Sequence, residues 1–273
     1  MMRLTVSHIT RYRYASPIRQ VVQSHRLTPS RFAGQRTLDW KVEVEGGRFG
    51  TPFIDGAGDS LRTMSLHGLV EAIDIHVSGT VDTLDLAGVL KDHKERISPH
   101  VYLRTTRATR PDAALRKLSA KAVAGIPDNA FLERAHALAA VVADAIAYAP
   151  GETHARTTAA EALGLGLGVC QDHTHALIAC AVAAGIPGRY VSGYLFASAD
   201  GAPHEASHAW AELYVEGLGW VGFDPANRCC PDERYIRLGS GVDSVAAAPI
   251  RGVSFGMASE NLDVTVAVTA VQQ

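Results

Sequence analysis

The chain has 273 residues, 47% of them hydrophobic and 20% charged, with a formal net charge of -2. That describes a globular protein with a substantial core, in one large domain or two of ordinary size, and its near-neutral balance offers no electrostatic footprint for nucleic acid or an anionic membrane. No apolar run approaches the length of a bilayer span, and MMRLTVSHITRYRY alternates where a signal peptide would be continuously apolar, so a cytoplasmic location is the expectation.

The first hundred residues are written in period two. LTVSHITRYRY, RTLDWKVEVEGG, DSLRTMSLHG and EAIDIHVSGTVDT alternate apolar and polar positions and are punctuated by Gly, Pro and Asp, which predicts an antiparallel β domain over residues 1–105. A second unit, 106–273, begins where the pattern changes. Pro111 and Asp112 start a short helix that Gly125 and Pro127 close, and a strongly apolar helix follows from about Asn129 to Tyr148. Thr158 and Glu161 stand in capping-box spacing ahead of another short helical turn, and the glycines at 164, 166 and 168 delay the next helix until Cys170. That helix, CQDHTHALIACAVAAG, is apolar from Ala176 to Ala184 and ends at Gly185 and Pro187. GRYVSGYLFA, SHAWAELYV, GWVGFDP and the tail NLDVTVAVTAV read as strands, so the whole is α+β.

The four cysteines, Cys170, Cys180, Cys229 and Cys230, are too few and too clustered for a disulfide framework and form no CxxC pair, so reduced thiols are expected. Cys170 opens its helix. A thiol there meets unpaired N–H groups and a partial positive charge, which favour thiolate and can also hold the oxyanion of a tetrahedral intermediate. Asp172, one turn in, opposes thiolate formation, so a nearby base is required. Cys180 lies among alanines on the buried side of the same helix and reads as a core residue.

His208, at the start of SHAWAELYV, is the candidate base, and the returning strand GWVGFDP ends at Asp224. With a three-residue loop, Glu216 to Leu218, Val215 pairs with Gly219 and His208 with Ala226. Asp224 then falls diagonally from His208 on one face, about 7–8 Å away between backbones and within side-chain reach. Two metal readings compete. HEASH, His204 to His208, matches a zinc-protease signature, but that signature needs a helix, and on a strand histidines four apart are separated by roughly 13 Å. His173 and His175 point to different sides of a helix and read as polar residues of its first turn. No metal and no cofactor is therefore expected.

GVCQDHTHALIACAVAAGIPGRYVSGYL followed by SHAWAELYVEGLGWVGFDPAN resembles the catalytic core of the bacterial transglutaminase-like superfamily, relatives of papain-type cysteine proteases, from about Thr153 to Asn227. The β-rich half, through SPIRQVVQSHRLTPSR, is similar to the N-terminal region that accompanies this core, and APIRGV to a stretch found after it. The resemblance implies Cys170 as nucleophile, His208 as general base and Asp224 as the orienting carboxylate, the three that the residues alone select. Three departures from the family pattern bear on substrate: Ala226 after Asp-Pro, the pair Cys229 and Cys230, and RLGSGVDSVAAAP. Gln171 reads equally as oxyanion lining or as an ordinary surface residue. Trp210 and Trp220 read as cleft wall or, more in keeping with aromatics in a sheet, as core. The expected activity is acyl transfer on a peptide or protein amide, hydrolytic if water resolves the acyl-enzyme and cross-linking if an amine does. A binding module that keeps the fold without turnover is the alternative, and the oligomeric state is open.

Overall fold

A computed structural model describes residues 1–196, 207–256 and 259–270. The N-terminal sheet is built on two 24-residue strands, β1 (Met2–His25) and β3 (Ser60–Thr83), which pair antiparallel along most of their length. DSLRTMSLHG and EAIDIHVSGTVDT are thus one strand. Their register slips between Arg13 and Gln20, around Pro17, which has no N–H to give the ladder. β2 (Gln35–Val44) covers the other edge of β3.

The second sheet has four strands in the order β6-β5-β4-β7: β4 (Gly188–Leu195), β5 (Ser207–Val215), β6 (Gly219–Phe223) and β7 (Tyr235–Gly241). Four helices pack with it: α1 (Ala113–Ala122), α2 (Phe131–Ala145), α3 (Ala159–Leu165) and α4 (Cys170–Ala183). Asp112 caps α1 by accepting from the Leu115 N–H at 2.8 Å, and Thr158 and Glu161 form both bonds of the capping box on α3. The second helix is shorter than its apolar pattern predicts. Ile146 turns extended, and the N–H groups of Ala147 and Ala149 donate to the carbonyls of Gly166 and Gly168 instead of continuing the helix. This short parallel pairing, Ala147–Tyr148 with Leu167–Gly168, anchors the segment immediately before Cys170.

α4 is buried from Asp172 through Ala181. Its alanines and Leu177 pack on the helix-facing side of the second sheet, against Tyr190, Ala209, Ala211, Leu213, Val221 and Phe223. Further along the sheet, Tyr194, Ile236 and Leu238 form one buried cluster with Leu4, Val6 and Val81 of the N-terminal sheet. The chain then returns to its start. β8 (Ile250–Phe255) and β9 (Glu260–Ala270) both pair with β1, so the N-terminal sheet takes an edge from residues that follow the cysteine helix and its sheet. Among the described residues no helix is long and apolar enough to cross a membrane.

Candidate functional site

The turn ahead of α4 is clamped by one carboxylate. Asp172 Oδ2 accepts from the Val169 N–H at 2.9 Å and from the Thr153 hydroxyl at 2.6 Å. Gly168 is required there, since a Cβ would lie 2.7 Å from that of Asp172. The N–H groups of Asp172 and His173 both turn back to the Val169 carbonyl, at 2.9 and 3.1 Å. Cys170 and Gln171 are the first two residues of the helix, whose N–H groups lack a carbonyl one turn earlier. Those two donors lie beside the partly exposed Cys170 thiol. Cys180 is its opposite: buried, with its thiol pushed up to about 12 by loss of solvent.

β5 and β6 meet in the predicted register. Val215 pairs with Gly219 across the three-residue loop, and Phe223 pairs with Ala211, which puts Asp224 on the face of Trp210 and His208. The ladder stops there. Pro225 follows, and Asp224 instead bridges Cys229 through two backbone bonds of 2.8 and 3.2 Å, so the expected His208–Ala226 pair is replaced by a tight turn. His208 Nε2 donates to Asp224 Oδ2 at 2.6 Å. Burial of the imidazole favours its neutral form, but hydrogen bonding to Asp224 and the Cys170 thiol outweigh that and push it up to about 10. Burial likewise opposes ionisation of Asp224, yet its bonds from His208, Asn227 and Tyr235 hold the carboxyl below its ordinary value.

The remaining sequence candidates fall elsewhere. The Gln171 amide donates to the Ala155 carbonyl at 3.3 Å, which ties that side chain to the loop before α3. Trp210 is buried behind His208, its ring nearly parallel to the imidazole at 24° and 6.5 Å between centroids, and so forms a backing rather than an open wall. Trp220 is buried too, its indole N–H donating to Glu95 at 2.6 Å. His173 places its ring nitrogens 3.0 Å from the Val169 carbonyl and 2.8 Å from that of Ile146. His175 Nε2 accepts from the Ser244 N–H at 3.1 Å, and burial lowers its pKa to about 4. Within HEASH, residues 204–206 lie outside the described residues, and His208 is on a strand. Among the described residues no three His, Cys, Asp or Glu side chains are grouped to hold a metal.

Two neighbours of Asp224 went unnoticed in the sequence. Asn227 sits three residues on, inside the Asp-Pro turn, and Tyr235 opens a strand beyond the motif. Only spacing to the acid could have suggested the first. Nothing local marks the second.

Comparison with known proteins identifies the family. The model of the transglutaminase-like superfamily matches residues 116–225, and that of the bacterial transglutaminase-like N-terminal region matches residues 4–82. The uncharacterized protein ML0607 of Mycobacterium leprae is 31% identical over 287 aligned positions, covering 98% of this chain and 99% of that protein. The chain belongs to the transglutaminase-like superfamily. Another similar protein, the uncharacterized Rv2569c of Mycobacterium tuberculosis, is 34% identical over 157 residues, 54% of this chain and 49% of that one. A crystal structure from Cytophaga hutchinsonii, provisionally called a cysteine protease, superposes with a TM-score of 0.76 at 22% identity, covering 100% of this chain and 91% of its own. It shares the fold of this chain.

Proposed function

We propose that this transglutaminase-like protein transfers acyl groups from amide bonds through Cys170, His208 and Asp224, and that water resolves the acyl-enzyme. The observation that carries the reading is the 2.6 Å bond from His208 to the buried Asp224, made by a ring that also interacts with the Cys170 thiol. His208 takes the thiol proton; the thiolate adds to the carbonyl carbon; the N–H groups of Cys170 and Gln171 receive the oxyanion; the imidazolium protonates the departing amine. Water, activated by the same imidazole, then releases the acid and the free thiol. Asp224 fixes the tautomer that leaves Nδ1 facing the nucleophile. The substrate is a peptide or protein amide, and a cytoplasmic setting, in which thiols stay reduced, suits four free cysteines.

Alkylation tests the reading without a known substrate. Iodoacetamide at neutral pH should label Cys170 faster than Cys180 or Cys229 by about ten-fold or more, because only Cys170 has a base and a helix start beside it. Equal rates would mean that no activated thiolate exists, and a binding module would be the better description. A panel of peptide amides, with and without a primary amine, then separates hydrolysis from cross-linking. Turnover should vanish in Cys170→Ala.

A further inference from the structure

Asp224 accepts more hydrogen bonds than an orienting carboxylate needs. Oδ2 alone receives His208 Nε2 at 2.6 Å, Asn227 Nδ2 at 2.7 Å and the Tyr235 hydroxyl at 2.8 Å, and Oδ1 receives the Asn227 N–H at 3.3 Å. Of these donors Tyr235 is the one supplied from outside the β5–β6 hairpin and the turn that follows it, at the start of β7. Its ring is buried and meets the edges of two neighbours, His208 at 5.9 Å and 60° and Trp210 at 5.4 Å and 83°. A phenol has one proton. Since that proton goes to Asp224, the 3.3 Å contact between Cys229 Sγ and the same hydroxyl has the thiol donating to the phenol oxygen. Cys229 is brought there by its backbone bridge to Asp224.

We propose that Tyr235 is a positioning residue for the acyl transfer, holding Asp224 ionised and aimed at His208, while Cys229 fixes the direction of the phenolic proton. A hydrogen-bonded chain then runs from Cys229 through Tyr235 and Asp224 to His208, whose imidazole is influenced in turn by Cys170. This rests on reading Cys170 as the nucleophile. The physical need is plain: Asp224 is 1% exposed, and no arginine or lysine pairs with it among the described residues. Its ionised form depends on neutral donors and on a histidine that must itself gain and lose a proton during turnover. Tyr235 supplies a donor whose strength does not change with that cycle, because burial and the neighbouring carboxylate push its pKa far above the ordinary phenol value. The titratable groups facing Asp224 are His208, Tyr235 and Cys229. Arg234, paired with Asp232 at 2.7 Å, interacts with Tyr235 and Cys229.

The test is the pH dependence of Cys170 alkylation by iodoacetamide in the full chain, read by mass spectrometry of the Cys170 peptide. Tyr235→Phe keeps the ring and its edge contacts and removes only the donor. Protonation of Asp224 then becomes easier, the thiolate–imidazolium pair is lost sooner on acidification, and the acid limb should move up by about one pH unit. Cys229→Ala should move it in the same direction by less, and Cys229→Ser, which restores a donor to the phenol, should move it less than Cys229→Ala. A Tyr235→Phe protein that reacts more slowly at every pH with the limb unmoved would reduce Tyr235 to a packing role and overturn the proposal. A wild-type Cys170 no faster than Cys180 would instead remove the acyl-transfer reading, and the two failures are distinguishable because the second needs no variant.

Discussion

Two buried polar centres lie on the same face of the second sheet, and they solve the cost of burying charge in opposite ways. Around Glu212, Arg237 Nε lies at 2.8 Å and Arg189 Nε at 2.7 Å; Arg237 also reaches Asp59 at 2.6 Å and Arg189 reaches Glu95 at 2.6 Å. Arg189 further stacks on Trp220, 4.0 Å from its ring centre. Every cation there is a guanidinium, charged at all working pH values. Four residues away along β5, at His208, the cationic partner of the acid is an imidazole, and its neighbour is a thiol. The first centre joins the second sheet to Asp59 and Glu95 of the preceding segments and holds its protons fixed; the second can pass a proton between groups. Permanent charge gives attachment, and titratable charge gives chemistry.

The largest test of that contrast is Arg237→Met. It removes the guanidinium that faces Asp59 and half of the Glu212 carboxylate in a site closed to water, so a loss of about 3–5 kcal/mol in a urea titration is expected. A smaller and pH-dependent effect is expected for His208→Asn. Because the folded imidazole titrates near 10, above its ordinary 6.5, its contribution to stability is complete below pH 6.5 and disappears as pH rises through about 10. The gap between wild type and variant should be about 2 kcal/mol at pH 6 and should close toward pH 10. Glu212 behaves in reverse. Burial raises its pKa, Arg237 and Arg189 more than offset this and hold it at about 2, so its contribution is complete above 4.5 and fails only as pH falls toward 2. A His208→Asn gap that persisted unchanged to pH 10 would break the distinction. Smallest of all is Arg228→Ala. Its 2.7 Å pair with Asp144 is nearly as short as that of Arg237 with Asp59, yet both partners are more than half exposed, and the change should stay within about 0.5 kcal/mol by thermal melting.

Period and punctuation in the chain foretold most local elements because they act over a few residues. Asp112, the Thr158–Glu161 box and the turn at Glu216–Leu218 each specify their own geometry; Gly217 and Gly219, with φ of 85° and 84°, make the last one tight. The face shared by His208 and Asp224 followed from that loop length, since a strand's period of two carries register outward from its turn. What lay beyond reach was non-local. Alternation in NLDVTVAVTAV predicts a strand without saying which edge it joins, and Ile250–Phe255 carries no alternation clear enough to be noticed. Tyr235 escaped for the same reason: β6 and β7 are opposite edges of the sheet, and Tyr235 meets Asp224, just beyond β6, only through the path of the intervening residues 225–234. Gln171, conspicuous beside the cysteine, proved to be turned toward Ala155 by a bond no motif could announce.

The pairing of β1 with β9, from Leu4 with Ala270 to Tyr14 with Glu260, has a consequence for how the protein is made. During synthesis the first strand leaves the ribosome with one neighbour, β3, soon available and the other still untranslated. Its open edge must wait for residue 270, long after the cysteine helix and its sheet have emerged. Contacts so distant along the chain are slow to form, and the nascent polypeptide carries an unpaired strand edge throughout that interval. Completion of the N-terminal sheet is therefore a late event, and it reports that the whole stretch bearing Cys170, His208 and Asp224 has already been delivered.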